Sequence, residues 1–151
     1  MLSFLRFATC PFCNLRIHNL IQRFGELPDN FVIVAVFDSE IEHLRRSAES
    51  HESPFPILAD GDGLAHRLYG IEHSVSGVFK GMFLRLPQLM KAMFFHGYWP
   101  FPIKGSVTTM PADFLVDPSG IIQTAYYGKD EGDHLPVNRL LEFARRYDQS
   151  D

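Results

Sequence analysis

The spacing of apolar residues changes several times along the chain, and each change marks an element. Leu2 to Phe7 is mostly apolar and runs into Cys10, after which Ile17, Leu20, Ile21 and Phe24 fall at i, i+3, i+4 and i+7. This predicts a strand feeding an amphipathic helix that ends near Gly25. Phe31 to Phe37 is apolar without alternation, the pattern of a strand covered on both faces in a partly parallel sheet. Ser39 and Glu42 fit a capping box, which predicts a second helix to about Ala48. Pro54 to Ala59 reads as a short strand, Asp60 to Gly63 as a polar turn, and Leu64 to Tyr69 as a short helix.

Toward the other end, Phe114 to Val116 and Ile121 to Tyr126 flank Asp117-Pro118-Ser119-Gly120, whose residue types suit a type I turn, so a hairpin is predicted. Val137, Leu140, Leu141 and Ala144 repeat helical spacing, with Pro136 at the start and Arg145-Arg146 near the end, where the helix dipole favours cations. The order of elements predicts an α/β sandwich with a mixed central sheet flanked by helices, formed as a single domain over residues 1–151.

One segment departs from this alternation. From His73 to Ala112 there is no acidic residue, while Lys80, Arg85, Lys91 and Lys104 stand among aromatic residues and methionines. Met82, Leu86, Leu89, Met90 and Met93 are spaced approximately as on a helix, which Pro87 should interrupt or kink, so a helical insertion is expected around residues 78–103. Three readings of it stand. It packs over the sheet, it forms a homodimer interface or hydrophobic rim beside the functional site, or it touches anionic membranes; the interface is preferred to the membrane because too much of the segment is apolar for a polar-faced interfacial helix.

Composition narrows the function classes. A net charge of -4 and the lack of nucleic-acid motifs give no reason to expect a nucleic-acid partner. No apolar run reaches the 18 or so residues a membrane span needs, and the first residues lack the layout of a signal peptide, so a cytoplasmic location is expected. The two cysteines, Cys10 and Cys13, are too close in sequence to staple distant segments.

A Cys-Pro-Phe-Cys motif where a strand meets a helix suits dithiol and disulfide chemistry. The thiolate is the reactive form, and a cysteine at a helix N-terminus gains stabilisation of that anion from free N–H groups. Pro11 fits the first helical position, where its missing N–H has no partner to lose. Cys10 is expected to attack, and Cys13, more shielded one turn on, to resolve. The competing readings are half of a metal site and an inert pair. A metal site would have to recruit from His18, His43, His51, His66, His73, His96 and His134, none of which forms an H-x₃₋₅-H pair, so no metal and no cofactor are expected.

Phe4 to Cys13, Phe55 to Asp60 with Leu68 to Ile71, Thr109 to Asp117 and Gly120 to Ile122 together resemble the thioredoxin superfamily, in its peroxiredoxin-like branch of alkyl hydroperoxide reductases and thiol-specific antioxidants. The resemblance leaves out residues 78–103 and implies a thioredoxin-like three-layer sandwich. It also implies a cis bond before Pro111, which would face the cysteines and leave the preceding backbone free to pair with a substrate peptide; Thr9, Pro11, Phe12, Thr109, Met110 and Pro111 then form the substrate-binding set. Read without the resemblance, Pro111 is a proline at the start of a strand.

Two departures rank the possible reactions. Peroxidases of this branch carry a Pro and a Thr seven and three residues before the peroxide-reactive Cys, whereas those positions here are Arg6 and Cys10 counted from Cys13, or Ser3 and Phe7 counted from Cys10. No Arg lies near Pro111 to stand beside the thiolate. Thiol-disulfide exchange with a protein or small-molecule disulfide, recycled by a thiol reductant, is therefore placed ahead of antioxidant peroxide reduction; a non-catalytic binding protein is the alternative of another class. The leading strand or hairpin of many relatives is also missing, which predicts an open sheet edge that self-association or the middle segment could cover.

Overall fold

The computed structural model describes residues 1–148, so the last three residues of the span read as one domain lie outside the described residues. Five strands, β1 (Leu2–Leu5), β2 (Val34–Phe37), β3 (Ile57–Ala59), β4 (Ala112–Val116) and β5 (Ile122–Tyr127), form one mixed sheet in the order β3-β2-β1-β4-β5. β1 is central, parallel to β2 and antiparallel to β4, with Phe4 opposite Val36 on one side and Ala112 on the other. Six helices accompany the sheet: α1 (Pro11–Gln22), α2 (Ile41–Ala48), α3 (Leu64–Leu68), α4 (Val75–Leu84), α5 (Leu86–Phe94) and α6 (Val137–Asp148).

The two faces of β1 go to different cores, as the period of two along a strand dictates. Met1 and Leu5 join the larger core with Ile17 and Leu20 of α1, Leu44 of α2 and Leu140 and Phe143 of α6. Phe4 joins the smaller one with Val36, Ile71 and Phe114, covered by Ala65 and Tyr69. Helices on both faces of a mixed sheet make this the thioredoxin-like α/β sandwich. His66 ties the turn after β3 to the central strand, its Nδ1 2.7 Å from Asp60 Oδ2 and its Nε2 3.1 Å from the Leu5 carbonyl oxygen.

Several boundaries differ from the sequence reading, each for a local reason. α1 stops at Gln22, and Phe24–Glu26 is a 3₁₀ turn, so Gly25 lies inside that turn rather than ending the helix. The Ser39 capping box does not form: α2 starts one residue later with Glu40 at its N-cap and no side-chain cap, which puts Glu42 out of register for the reciprocal bond. β3 holds only three residues, since Pro54 and Pro56 cannot donate to a ladder. The hairpin turn forms as read. Gly120 N–H donates to the Asp117 carbonyl oxygen at 3.0 Å, and Gly120 adopts φ +84°, where its lack of a Cβ is needed.

The insertion is two helices rather than one bent helix. Ser74 caps α4 by accepting from Gly77 N–H at 3.0 Å, and Pro87 falls in the first turn of α5, where it removes no helical bond. The helices part at Arg85. α5 lies along α1, while Phe79, Phe83, Leu84, Phe94 and Phe95 remain exposed. After α5 the chain returns irregularly, contains the cis bond Phe101–Pro102, and bridges Thr109 to His73 before entering β4. No helix among the described residues is long and apolar enough to cross a membrane.

Candidate active site

The loop from Arg6 to Cys10 turns the chain from β1 into α1, closed by Cys10 N–H donating to the Phe7 carbonyl oxygen at 3.0 Å. Cys10 is the N-cap of α1, with extended backbone (φ -63°, ψ 119°), and Pro11 is the first helical residue. Its sulfur thus sits at the mouth of the helix, where N–H groups lack helical partners. Asn14 pins this arrangement: its amide donates to the carbonyl oxygens of Ala8 (2.8 Å) and Cys10 (2.9 Å), while Ser47 on α2 donates to Asn14 Oδ1 at 3.1 Å. The residue types that hold the loop therefore come from two helices.

The two cysteines are free thiols. Hydrogen bonding from the Cys13 thiol and backbone N–H favours the Cys10 thiolate. Arg6 approaches the pair twice, its backbone N–H 3.3 Å from Cys13 Sγ and its guanidinium 3.6 Å from Cys10 Sγ. Burial by itself would push the Cys10 thiol up. The Cys13 thiol bond, the Arg6 charge and the Cys13 N–H outweigh it, and the thiol lies lowered to about 7. Cys13 moves the other way, well above the ordinary thiol range, because burial, its bond to Cys10 and the Cys10 charge all oppose a second anion. Near neutral pH the Cys10 thiol is therefore about half ionised, while Cys13 keeps its proton.

Sequence reasoning placed Cys13 deeper than Cys10, but neither sulfur reaches solvent. The wall over Cys10 is charged. Arg6 pairs with Glu131 Oε2 at 2.7 Å and also donates to the Val107 carbonyl oxygen, so the residue after β1, the stretch between the insertion and β4, and the loop after β5 meet beside Cys10. Burial pushes the Glu131 carboxyl up, and Arg6 only partly offsets it. α4 closes over this pair through a glycine: a Cβ at Gly81 would stand 2.5 Å from Glu131 Cγ. Arg85, at the break between α4 and α5, holds Asp130 with Nε at 2.6 Å and Nη2 at 3.3 Å from its two carboxylate oxygens. Arg6 and Glu131 are the residues beside the cysteine pair that the motifs did not reveal; the hint available was the contrast between the acid-free segment His73–Ala112 and the acids Asp130, Glu131 and Asp133 that follow it.

The remaining site candidates separate into two groups. Thr9 donates its hydroxyl to the Pro102 carbonyl oxygen at 3.0 Å, Pro11 opens α1, and Phe12 is buried against Gly132. Thr109, Met110 and Pro111 run up to β4 and are buried with their polar groups engaged. Thr109 Oγ1 donates to Asp38 Oδ2 at 2.6 Å, Met110 N–H to the Glu72 carbonyl oxygen at 2.8 Å, and the Pro111 carbonyl oxygen accepts from Gly128 N–H at 2.8 Å. The cis bond expected before Pro111 is absent, and the backbone ahead of it is already paired with the segment leading into α4.

Behind the dithiol, Asp113 is fully buried and holds α1 to the sheet. It accepts from Ser3 Oγ at 2.6 Å, from Leu135 N–H at 2.8 Å and from Arg16 at 3.3 Å, with His134 Nδ1 also at 3.3 Å. Burial opposes its charge, yet Arg16, His134 and Ser3 hold the carboxyl well below the usual carboxylate range. A depressed carboxyl stabilises the fold fully above its unfolded value near pH 4 and loses that contribution as pH falls toward the folded value. Asp113→Asn, which leaves Arg16 buried without an anion, is therefore expected to lower stability by about 3–5 kcal/mol at pH 7 and to flatten the acid limb of stability below about pH 4. Urea titrations at pH 7 and pH 3 measure both effects.

No group of three or more His, Cys, Asp or Glu side chains is arranged to hold a metal ion among the described residues. A thioredoxin-like sheet with a reduced cysteine pair at the head of its first helix defines a thiol-dependent redox protein. The sequence profile of the AhpC/TSA family matches residues 1–125, and the chain belongs to that family. No curated protein sequence matches it.

Proposed function

We propose that the chain is a thiol-disulfide oxidoreductase. The observation that carries this reading is the placing of Cys10 at the mouth of α1 with the Arg6 guanidinium 3.6 Å from its sulfur, where hydrogen bonding from Cys13 and the Arg6 charge lower the Cys10 thiol while Cys13 is pushed up. The Cys10 thiolate attacks one sulfur of a substrate disulfide, forming a mixed disulfide and expelling the other half as thiolate. Once Cys10 is bonded and neutral, two of the influences that raised Cys13, the bond to Cys10 and the Cys10 charge, are gone, while Arg6 still favours its anion. Cys13 then loses its proton and attacks Cys10, releasing the second half of the substrate as thiolate. The balance is two electrons from the dithiol to the substrate, which leaves as two thiols, and an external thiol reductant restores the pair. Because neither sulfur is exposed, a substrate reaches Cys10 only when the surrounding chain moves away from it.

Peroxide reduction is the second reading, favoured by the Arg6 guanidinium, which supplies from the end of β1 the arginine missing near Pro111. Against it, the one hydroxyl adjoining Cys10 in sequence, that of Thr9, is turned to Pro102. Stopped-flow comparison of hydrogen peroxide with a small model disulfide separates the two, because both reagents share the same opening step and their ratio reports the chemistry. Faster oxidation by the disulfide is expected; rapid peroxide consumption with sluggish exchange would reverse the order.

A further inference from the structure

Beside the redox loop lies an open cavity of about 310 Å³, walled by the loop on one side, by α2 on a second and by the returning arm of the insertion on the third. Its charge is one-sided. Arg46 of α2 and Lys104 of the arm line it together with His43, no acidic side chain does, and among the described residues neither Arg46 nor Lys104 has a carboxylate partner. Lys104 also borders a smaller groove that contains Asp38 and Glu40, which leaves Arg46 as the stronger attraction.

The arm also brings aromatic rings to the cavity. Tyr98 stacks on His96 with rings 5.7 Å apart and 11° from parallel, and Trp99 meets Phe94 edge-on at 5.6 Å, while Phe101 completes the surface. The Thr9 bond to Pro102 ties this wall to the redox loop. A cavity lined both by cations without carboxylate partners and by aromatic rings matches a ligand with an anionic head and an apolar body. The cations stand along the face of α2 and on the arm rather than around a helix N-terminus, the usual setting of a phosphate site.

We infer that this cavity is a binding site for a small organic carboxylate, held by Arg46 and Lys104 with its apolar body against Tyr98, Trp99 and Phe101. The inference goes beyond the redox reading and does not depend on it, although a ligand so placed lies against the loop that presents Cys10.

Trp99 is the single tryptophan of the chain and lines the cavity, so its fluorescence reports occupancy directly. The probes are 3-phenylpropanoate and its neutral amide, nearly the same in shape and different in charge. Saturable change with the acid, at least about tenfold weaker binding of the amide, and weakening of the acid by added salt are the expected results. The double variant Arg46→Gln/Lys104→Gln should lose about tenfold in affinity for the acid while keeping its unfolding midpoint, because both side chains are exposed. No saturable response to the acid, equal binding of acid and amide, or an unchanged affinity in a folded double variant overturns the inference. The thiols take no part in the titration, so each outcome stands apart from whether the dithiol turns over.

Discussion

Cys10→Ser is expected to lose at least about a thousandfold in reduction of a model disulfide, with the fold retained. A serine hydroxyl at this position has no accessible anion near neutral pH, and the Cys13 hydrogen bond and Arg6 guanidinium that together lower the Cys10 thiol to about 7 have far less to act on. Cys13→Ser divides the same reaction differently. Its first step remains, but the thiol that should expel the second half of the substrate is missing, so a stable adduct on Cys10 accumulates and is visible as a mass increase of one substrate half. Wild-type protein treated identically should show only the loss of two hydrogens. An adduct on Cys13 in the Cys10→Ser variant, formed as fast as the adduct on Cys10, would falsify the assignment of attacking and resolving roles.

The elements that bear the site were legible because they are local. The apolar run into Cys10, the helical spacing of Ile17, Leu20 and Ile21, and Pro11 at the first helical position together place a thiol at a helix mouth, and β1, α1 and the hairpin around Asp117 follow those patterns. What escaped was non-local. Arg6 reads as the polar end of a strand, and only the folded chain shows its bond to Glu131, 125 residues on. The reading of Pro111 came from resemblance rather than from its own neighbourhood, where Met110 N–H is satisfied by Glu72 and Gly128 packs against the ring. Burial of Cys10 was equally hidden, because the cover is made by the insertion and the loop after β5, segments whose placement no periodicity encodes. Ser39 shows the opposite limit: a correct local motif shifted by one residue fails, since capping geometry tolerates no slip.

The buried Arg6–Glu131 pair makes a sharper test than either cysteine, because it separates thiolate activation from stability. Arg6→Met removes the guanidinium from Cys10 and leaves Glu131 buried without its cation, which is expected to lower stability by about 3–5 kcal/mol. Adding Glu131→Gln removes the stranded charge, keeps the shape that meets Gly81, and should restore most of that loss. Both variants share one chemical consequence. With Arg6 gone, burial is opposed only by the bonds from Cys13, so the midpoint of Cys10 alkylation against pH should rise from about 7 by at least about one unit. Glu131→Gln alone should move the midpoint the other way, since the Glu131 charge disfavours the thiolate. The midpoint is the quantity to read rather than the rate, because a destabilised cover opens more often and speeds alkylation at every pH without altering the pH at which the thiol is half ionised. A midpoint that stays near 7 in Arg6→Met as well as in the double variant would mean that the helix mouth and Cys13 suffice to ionise Cys10, and that Arg6 serves only the packing around it.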